Sequence, residues 1–332
     1  MERPREPQTT RRARPPTGLK AGVDLGGTKI QAVVVGDRGA RVLGAARRDT
    51  PTRGGPEAVA TEIARAVRDA AAAAGADLSE LTGVGIGAPG SIDAVTGSVL
   101  QVANVEGLDR PFPLAPSVAA ALGAPATLGN DVSVAVEAER RFGAGRGLRS
   151  FLGVFWGTGV GGGLVVDGRL LTGRGSAGEL GHMCAKPGGR RCACGLRGCV
   201  EAYAGRGALE ERARKESRKR KTVLFDLQRK RGRDRLTSGV WLRDLVAGVE
   251  GARDLLGEAI EALGVGIGSA VTLLDVEAVV LGGGLGERLG PRWLGRIERA
   301  ARAHTFFRDP PGYRLAELGD LGGAIGASLL VR

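Results

Sequence analysis

A chain of 332 residues is long enough for two domains of ordinary size, and its 57 glycines, which follow no three-residue period, put much backbone in tight turns or near ligands and exclude a fibrous protein. The formal charge of +12 points to nucleic acid only until it is located: residues 1–20 hold six basic and two acidic side chains, residues 212–235 hold twelve and three, and the rest is within one charge of neutral. Charge so confined belongs to solvated surface segments, so nucleic acid is not the expected partner, and with no apolar run of about 18 residues no membrane span is expected.

Residues 1–18, rich in Pro, Arg and Thr without periodicity, read as a disordered tail. A first domain, 19–145, opens with Ala21 to Leu25, the turn Asp24-Leu25-Gly26-Gly27-Thr28-Lys29, and Ile30 to Val35; past a Gly36-Asp37 turn follow Val42 to Arg47, so the segment reads as successive hairpin strands. Gly26 and Gly27 leave backbone N–H groups open to an anion, Thr28 adds a hydroxyl and Lys29 a charge, which suits a phosphate; Gly-Gly hairpins also occur simply as turns. Pro56 to Ala74 has helical spacing at Ile63, Ala66, Val67 and Ala70 and leads to the strand Gly83 to Ala88, implying an α/β layer. The loop Pro89-Gly90-Ser91-Ile92-Asp93 lies where open α/β sheets bind ligands. After Asn104 and a Pro-rich connection, the strand Ala124 to Leu128 delivers Gly129-Asn130-Asp131 onto a helix, Val132 to Arg141. Asp131 there either caps the helix or serves as a general base at the mouth of a cleft.

The second domain, 146–332, repeats the opening: strand Phe151 to Trp156, a glycine-rich turn Gly157-Thr158-Gly159-Val160-Gly161-Gly162-Gly163, strand Leu164 to Val166 and an Asp167-Gly168 hairpin. Two such hairpins suggest duplicated domains facing one nucleotide. Further on, Arg253 to Leu273 reads as a long helix and Val276 to Leu281 as a buried strand. The strand ends in a Gly282-Gly283-Gly284 turn open to an adenine or ribose, and helices Trp293 to Ala303 and Gly322 to Leu330 close this domain.

Between Gly178 and Glu201 lie all four cysteines and one of the two histidines. Soft thiolates and an imidazole suit a structural Zn²⁺ in a loop 182–199, with His182, Cys192, Cys194 and Cys199 as ligands; Cys184 is an alternative to His182. Cys192 and Cys194 are too close to bridge comfortably, and no apolar leader precedes residue 20, which argues against a secreted disulfide cluster and for a reducing cytoplasm. A nucleic-acid-binding zinc knuckle is the other reading. Glu179 and Glu201 flank the thiols, their hard oxygens better used on hydroxyl groups.

Taken together, Gly-Glu-x-Gly-His, Cys-x-Cys-Gly-x-x-Gly-Cys-x-Glu, Asp24 to Lys29, Asn130-Asp131 and the Gly157 to Gly163 turn resemble the sugar kinases of the ROK family (repressor, open reading frame, kinase), from about Ala21 to Leu330. The resemblance implies an α/β, duplicated two-domain, actin-like ATPase (ribonuclease H-like) fold. It also implies ATP-dependent phosphorylation of a hexose at its 6-hydroxyl, glucose foremost, with Asp131 as base. It places sugar hydroxyls on Asn104, Asn130, Glu179, His182 and Glu201, with Gly90 nearby. Phosphates fall on Gly26, Gly27, Thr28, Lys29, Gly157, Thr158, Gly159, Gly161 and Gly162, and the nucleoside on Gly283 and Gly284. Asp24 suits Mg²⁺ or its waters. A homodimer or higher oligomer is expected. N-acetylmannosamine, N-acetylglucosamine or fructose are alternative acceptors, and polyphosphate, suggested by Lys215 to Lys221 and Arg229 to Arg235, an alternative donor. A sugar-sensing repressor would carry a winged helix-turn-helix, and only 20 residues precede Ala21.

Overall fold

The computed structural model describes residues 18–36, 41–101, 110–219, 237–246, 248–306 and 309–331; Asn104, residues 1–17 of the expected tail and most of the basic segment lie outside them. Apolar runs separated by short turns fold the start as a meander, with β1 (Leu19–Leu25) and β2 (Lys29–Val35) largely buried and β3 (Val42–Asp49) at the edge, paired antiparallel. Helix α1 (Gly55–Ala74) buries Val59, Ile63, Ala66, Val67 and Ala70 along one stripe, and it stops at Gly75, whose φ of 67° is the left-handed conformation glycine adopts at least cost. The chain returns as β4 (Leu81–Ala88), parallel to β1. A ribbon of β5 (Ser91–Asp93) and β6 (Ser98–Gln101) and helix α2 (Leu114–Leu122) precede β7 (Ala126–Asn130), parallel to β4, and helix α3 (Asp131–Phe142).

The second half uses β8 (Phe151–Trp156), β9 (Val160–Val166), β10 (Arg169–Leu171), β11 (Ala278–Gly282) and β12 (Gly312–Leu315). Among the described residues its order, β10-β9-β8-β11-β12, reproduces β3-β2-β1-β4-β7 strand for strand and direction for direction, so the duplication expected from the two hairpins is a duplication of whole sheets. Its helices are α4 (Glu201–Ala204), α5 (Arg206–Lys219), α6 (Ser238–Val246), α7 (Glu250–Leu274) and α8 (Gly283–Arg302), and each sheet covers its own apolar cluster. By length and composition α7 passes for a bilayer-spanning helix, contrary to the sequence reading. Of its most apolar stretch 67% is buried in the second core, as a core helix requires.

The closing helix α9 (Gly322–Ser328) does not stay with the second domain: it packs on β1, β4 and α3 of the first. Glycines on the two strands make that possible, because a Cβ at Gly22 would lie 2.0 Å from the Ala324 carbonyl oxygen and one at Gly85 1.7 Å from that of Ala327. Lys20 then ties down the segment that follows α9, Nζ donating to the Val331 carbonyl at 2.9 Å. The boundary between 145 and 146 therefore separates the sheets but not the packing units. Gly85→Ala is expected to cost about 3 kcal/mol or more, since backbone rather than a side-chain tip must move, and to lower the thermal midpoint accordingly. An unchanged midpoint would show that α9 slides freely on β4.

Candidate active site

The parallel strands β1, β4 and β7 end side by side, Asp24 opposite Gly87 and Gly87 opposite Gly129, so Asp24 and the start of α3 face one cleft. Sequence leaves Asp131 as cap or base; the geometry divides those roles. Asn130 sits before the helix with extended backbone, and its Oδ1 accepts the Ser133 N–H at 3.0 Å, which makes Asn130 the cap. Asp131 is the first helical residue, and its Oδ1 accepts the Val132 N–H at 2.9 Å. Burial pushes its carboxyl up to about 7, the nearby Asp24 charge adds to the rise, and the Val132 N–H opposes it. Asp24 is likewise raised by burial, to about 6, against the pull of Lys29. Close approach of α9 accounts for that burial: a Cβ on Gly323 would lie 2.8 Å from Asp24 Cγ.

The turn after Asp24 is closed by Gly26 N–H on the Lys29 carbonyl at 2.9 Å and by the Thr50 hydroxyl on the Gly26 carbonyl at 2.6 Å, leaving Thr28 exposed and Gly27 half-buried. Lys29 is not free in the cleft. Its Nζ lies 3.0 Å from Asp320 Oδ1, a partner 291 positions away that no local pattern indicates. Gly90, at φ 81°, turns the chain out of β4 on the same side of the sheet.

In the second domain the expected seven-residue turn shrinks to Gly157-Thr158-Gly159, because β9 begins at Val160. Gly161 and Gly162 thus lie inside a strand, where a Cβ would meet Val132 Cγ2 and the Gly178 carbonyl oxygen, each at 2.4 Å, so close packing on α3 and on the chain at Gly178 requires glycine there. The short turn is braced by Arg206, whose N–H donates to the Gly157 carbonyl at 3.1 Å and whose guanidinium donates to Thr158 Oγ1 at 2.8 Å. Gly282-Gly283-Gly284 is not a turn either: Leu285 and Leu289 bury the first turns of α8, which starts at Gly283. Gly283, at φ 82°, presses on the Trp156 backbone, and Gly284 N lies 3.7 Å from where a Gly157 Cβ would be. A 20-residue helix thus opens beside the Gly-Thr-Gly turn, with free N–H groups and the positive end of its dipole available to an anion. Ser238 Oγ, absent from the sequence reading, stands 3.6 Å from the corresponding point on Gly284.

The cysteine loop folds against β9. Nδ1 of His182 lies 3.9 Å from Cys192 Sγ, Cys194 and Cys199 sulfurs are 3.7 Å apart, and the donor atoms of these four residues lie within 4.8 Å of one another. Ligands at Zn–S distances of about 2.3 Å on a tetrahedron stand about 3.8 Å apart, so the quartet fits zinc. Cys184 turns instead toward the Arg197 carbonyl, 3.9 Å away, and is not needed as the fourth ligand. All four thiols are free. Burial, and after it the Cys194 and Cys192 sulfurs, push the Cys199 thiol up to about 12, and a bound cation would offset that rise. The other face of the His182 ring points to the site, Nε2 standing 3.9 Å from Glu179 Oε2. Glu201 links loop and turn, its Oε2 accepting the Val160 N–H at 2.8 Å just beyond Gly159.

Residues 20–332 match the ROK family as a whole. The chain belongs to the ROK family. It is 34% identical over 326 residues to a glucokinase of Streptomyces coelicolor, covering 95% of this chain and 98% of that one. Among solved structures it is similar to a ROK family glucokinase from Streptomyces griseus in complex with glucose and AMPPNP, with 33% identity, TM-score 0.78 and 94% and 99% of the two chains covered. A ROK hexokinase from Thermus thermophilus gives 35%, 0.75, 94% and 97%. ROK membership carries the two-domain actin-like architecture seen here in the doubled sheets.

Proposed function

We propose that this ROK protein transfers the terminal phosphoryl group of ATP to the 6-hydroxyl of a hexose, glucose before others. The observation that carries the reading is Asp131: relieved of capping by Asn130 and raised to about 7, it is a carboxylate suited to taking a proton near neutral pH. Phosphoryl transfer to an alcohol asks little covalent chemistry of a protein beyond such a base, placed phosphates and exclusion of water. Gly26 to Thr28, Gly157 to Gly159 and the start of α8 offer the backbone donors for the phosphates. Lys29 adds a cation once it leaves Asp320, and Asp24 has the place and charge to hold Mg²⁺ through its waters. Glu179, His182, Glu201 and the amide of Asn130 would orient sugar hydroxyls, so that the 6-hydroxyl meets Asp131. Zinc held by His182, Cys192, Cys194 and Cys199 would be structural: four protein ligands leave no open position for activating a water. The glucokinase of Streptomyces coelicolor and the glucose-bound glucokinase of Streptomyces griseus support glucose, and the thiol-rich loop supports a reducing cytoplasm as its setting.

A coupled assay over glucose, N-acetylmannosamine, N-acetylglucosamine and fructose, with ATP and polyphosphate in parallel, tests the reading. The expected result is the highest kcat/KM for glucose with ATP. Turnover of no sugar would overturn the kinase, and a preference for polyphosphate would overturn the donor.

A further inference from the structure

Glu139 is 2% exposed, and its carboxylate is held by backbone N–H groups outside the residues named for the site above. It stands on α3, two turns beyond Asp131. Among the described residues the chain passes between the two domains at two places, from α3 to β8 and from β12 to α9. The Glu139 carboxylate meets both. In the first crossing the Ala144 N–H donates to Oε2 at 2.8 Å. From the second, the Glu317 N–H reaches both oxygens at 3.1 Å and the Leu318 N–H reaches Oε1 at 3.0 Å.

The surroundings are built for this carboxylate. A Cβ on Gly143 would lie 2.0 Å from Glu139 Oε2, so the first crossing carries a glycine where the carboxylate takes the space. The Glu139 main-chain carbonyl in turn accepts the N–H groups of Gly143 and Gly145, each at 3.0 Å. Arg314 Nη1, on β12 just ahead of the second crossing, donates to the Ala144 carbonyl at 3.0 Å and ties the first crossing to that strand. Three backbone donors satisfy one buried anion, an arrangement that is costly to leave half made. Domain closure is absorbed by a few residues between rigid bodies, and here those residues converge on one side chain of the helix that presents Asp131.

We propose that Glu139 is a positioning residue for phosphoryl transfer: the pin common to both interdomain crossings, it sets where α3, and Asp131 at its head, stands relative to the second domain when the cleft closes. The kinetic half of this rests on the kinase reading; the mechanical half does not. Glu139→Gln in the full chain keeps the shape but turns an amide N–H₂ toward N–H donors.

Hydrogen exchange of the Ala144, Glu317 and Leu318 amides, read without substrate, is expected to accelerate by about tenfold or more at both crossings together. In the same folded variant kcat falls by about 10- to 100-fold while the KM values for sugar and ATP stay within about threefold, because misplacement of the base costs turnover and not binding. A purely structural glutamate would lower the thermal midpoint and leave kcat alone, and that result overturns the proposal, as does exchange accelerated at only one crossing. Should Glu139→Gln fail to fold, Gly143→Ala displaces the same carboxylate without touching its charge and is read by the same two measurements, with wild-type kcat as the overturning outcome. A wild type that phosphorylates no sugar would sink the kinase reading and the kinetic half with it, and the exchange pattern would still decide the pin.

Discussion

Asp131→Asn is expected to lower kcat by about 10² to 10⁴ while sugar affinity, measured by direct binding, stays within several-fold, because the amide keeps the side chain's shape and reach but cannot take the proton. The pH profile supplies an independent check. A base raised to about 7 is protonated below that pH, so wild-type kcat/KM falls as pH drops through 7 and levels off above it, and the residual activity of the variant lacks that limb. Stability moves the other way. Folding raises this carboxyl from 3.8 to about 7, so its favourable contribution is complete below about pH 4 and is lost as pH rises through 7, where the ionised group sits buried beside Asp24. Asn removes that charge, so the variant melts above the wild type at pH 8 and the difference narrows toward pH 4. Wild-type kcat in Asp131→Asn would leave the residue no more than the first residue of α3.

Cys194→Ser is expected to abolish zinc content and raise the KM for sugar by about 10- to 100-fold, with nucleotide affinity little changed. The asymmetry follows from His182, which turns Nδ1 to the thiols and Nε2 to Glu179, whereas Arg206 braces the Gly157 to Gly159 turn and Trp156 backs the start of α8, so that the cysteine loop reaches the turn through Glu201 at Val160 and not through a thiol. Without the metal the ring and the carboxylate beside it lose their fixed orientation, and sugar must restore it on binding. Metal analysis of the same samples is required. A zinc-free variant with wild-type sugar KM would uncouple metal from substrate, and wild-type protein without zinc would remove the site.

What could be read before the structure was whatever short spacing encodes. The Asp24 to Lys29 turn, the Asn130-Asp131 junction and the quartet His182, Cys192, Cys194, Cys199 each lie within a few turns of chain, and the structure brings each together. Glycine density misled where the reason for glycine lay elsewhere. Gly161 and Gly162 were expected in a loop, yet they are strand residues pressed by Val132 and the Gly178 carbonyl, neighbours that only the tertiary fold supplies. Gly282 to Gly284 read as a turn because nothing local shows that Leu285 and Leu289 anchor a helix there. The Lys29 to Asp320 pair, the double engagement of Glu139 and the home of α9 span from five to about three hundred positions and leave no periodic trace.

The placement of α9 has a consequence for how the protein is made. Lys20 waits for a carbonyl 311 positions downstream, and the faces of β1 and β4 that Gly22 and Gly85 keep bare receive their cover only from residues 322–328. A nascent chain emerging at about 5–20 residues per second therefore carries an unfinished first sheet through the whole synthesis of the second, with apolar strand surface open to chaperones for tens of seconds. Folding from the ribosome cannot run domain by domain: the half that emerges first waits for residues 322–331, and truncation ahead of Gly322 would damage the first sheet and not the second.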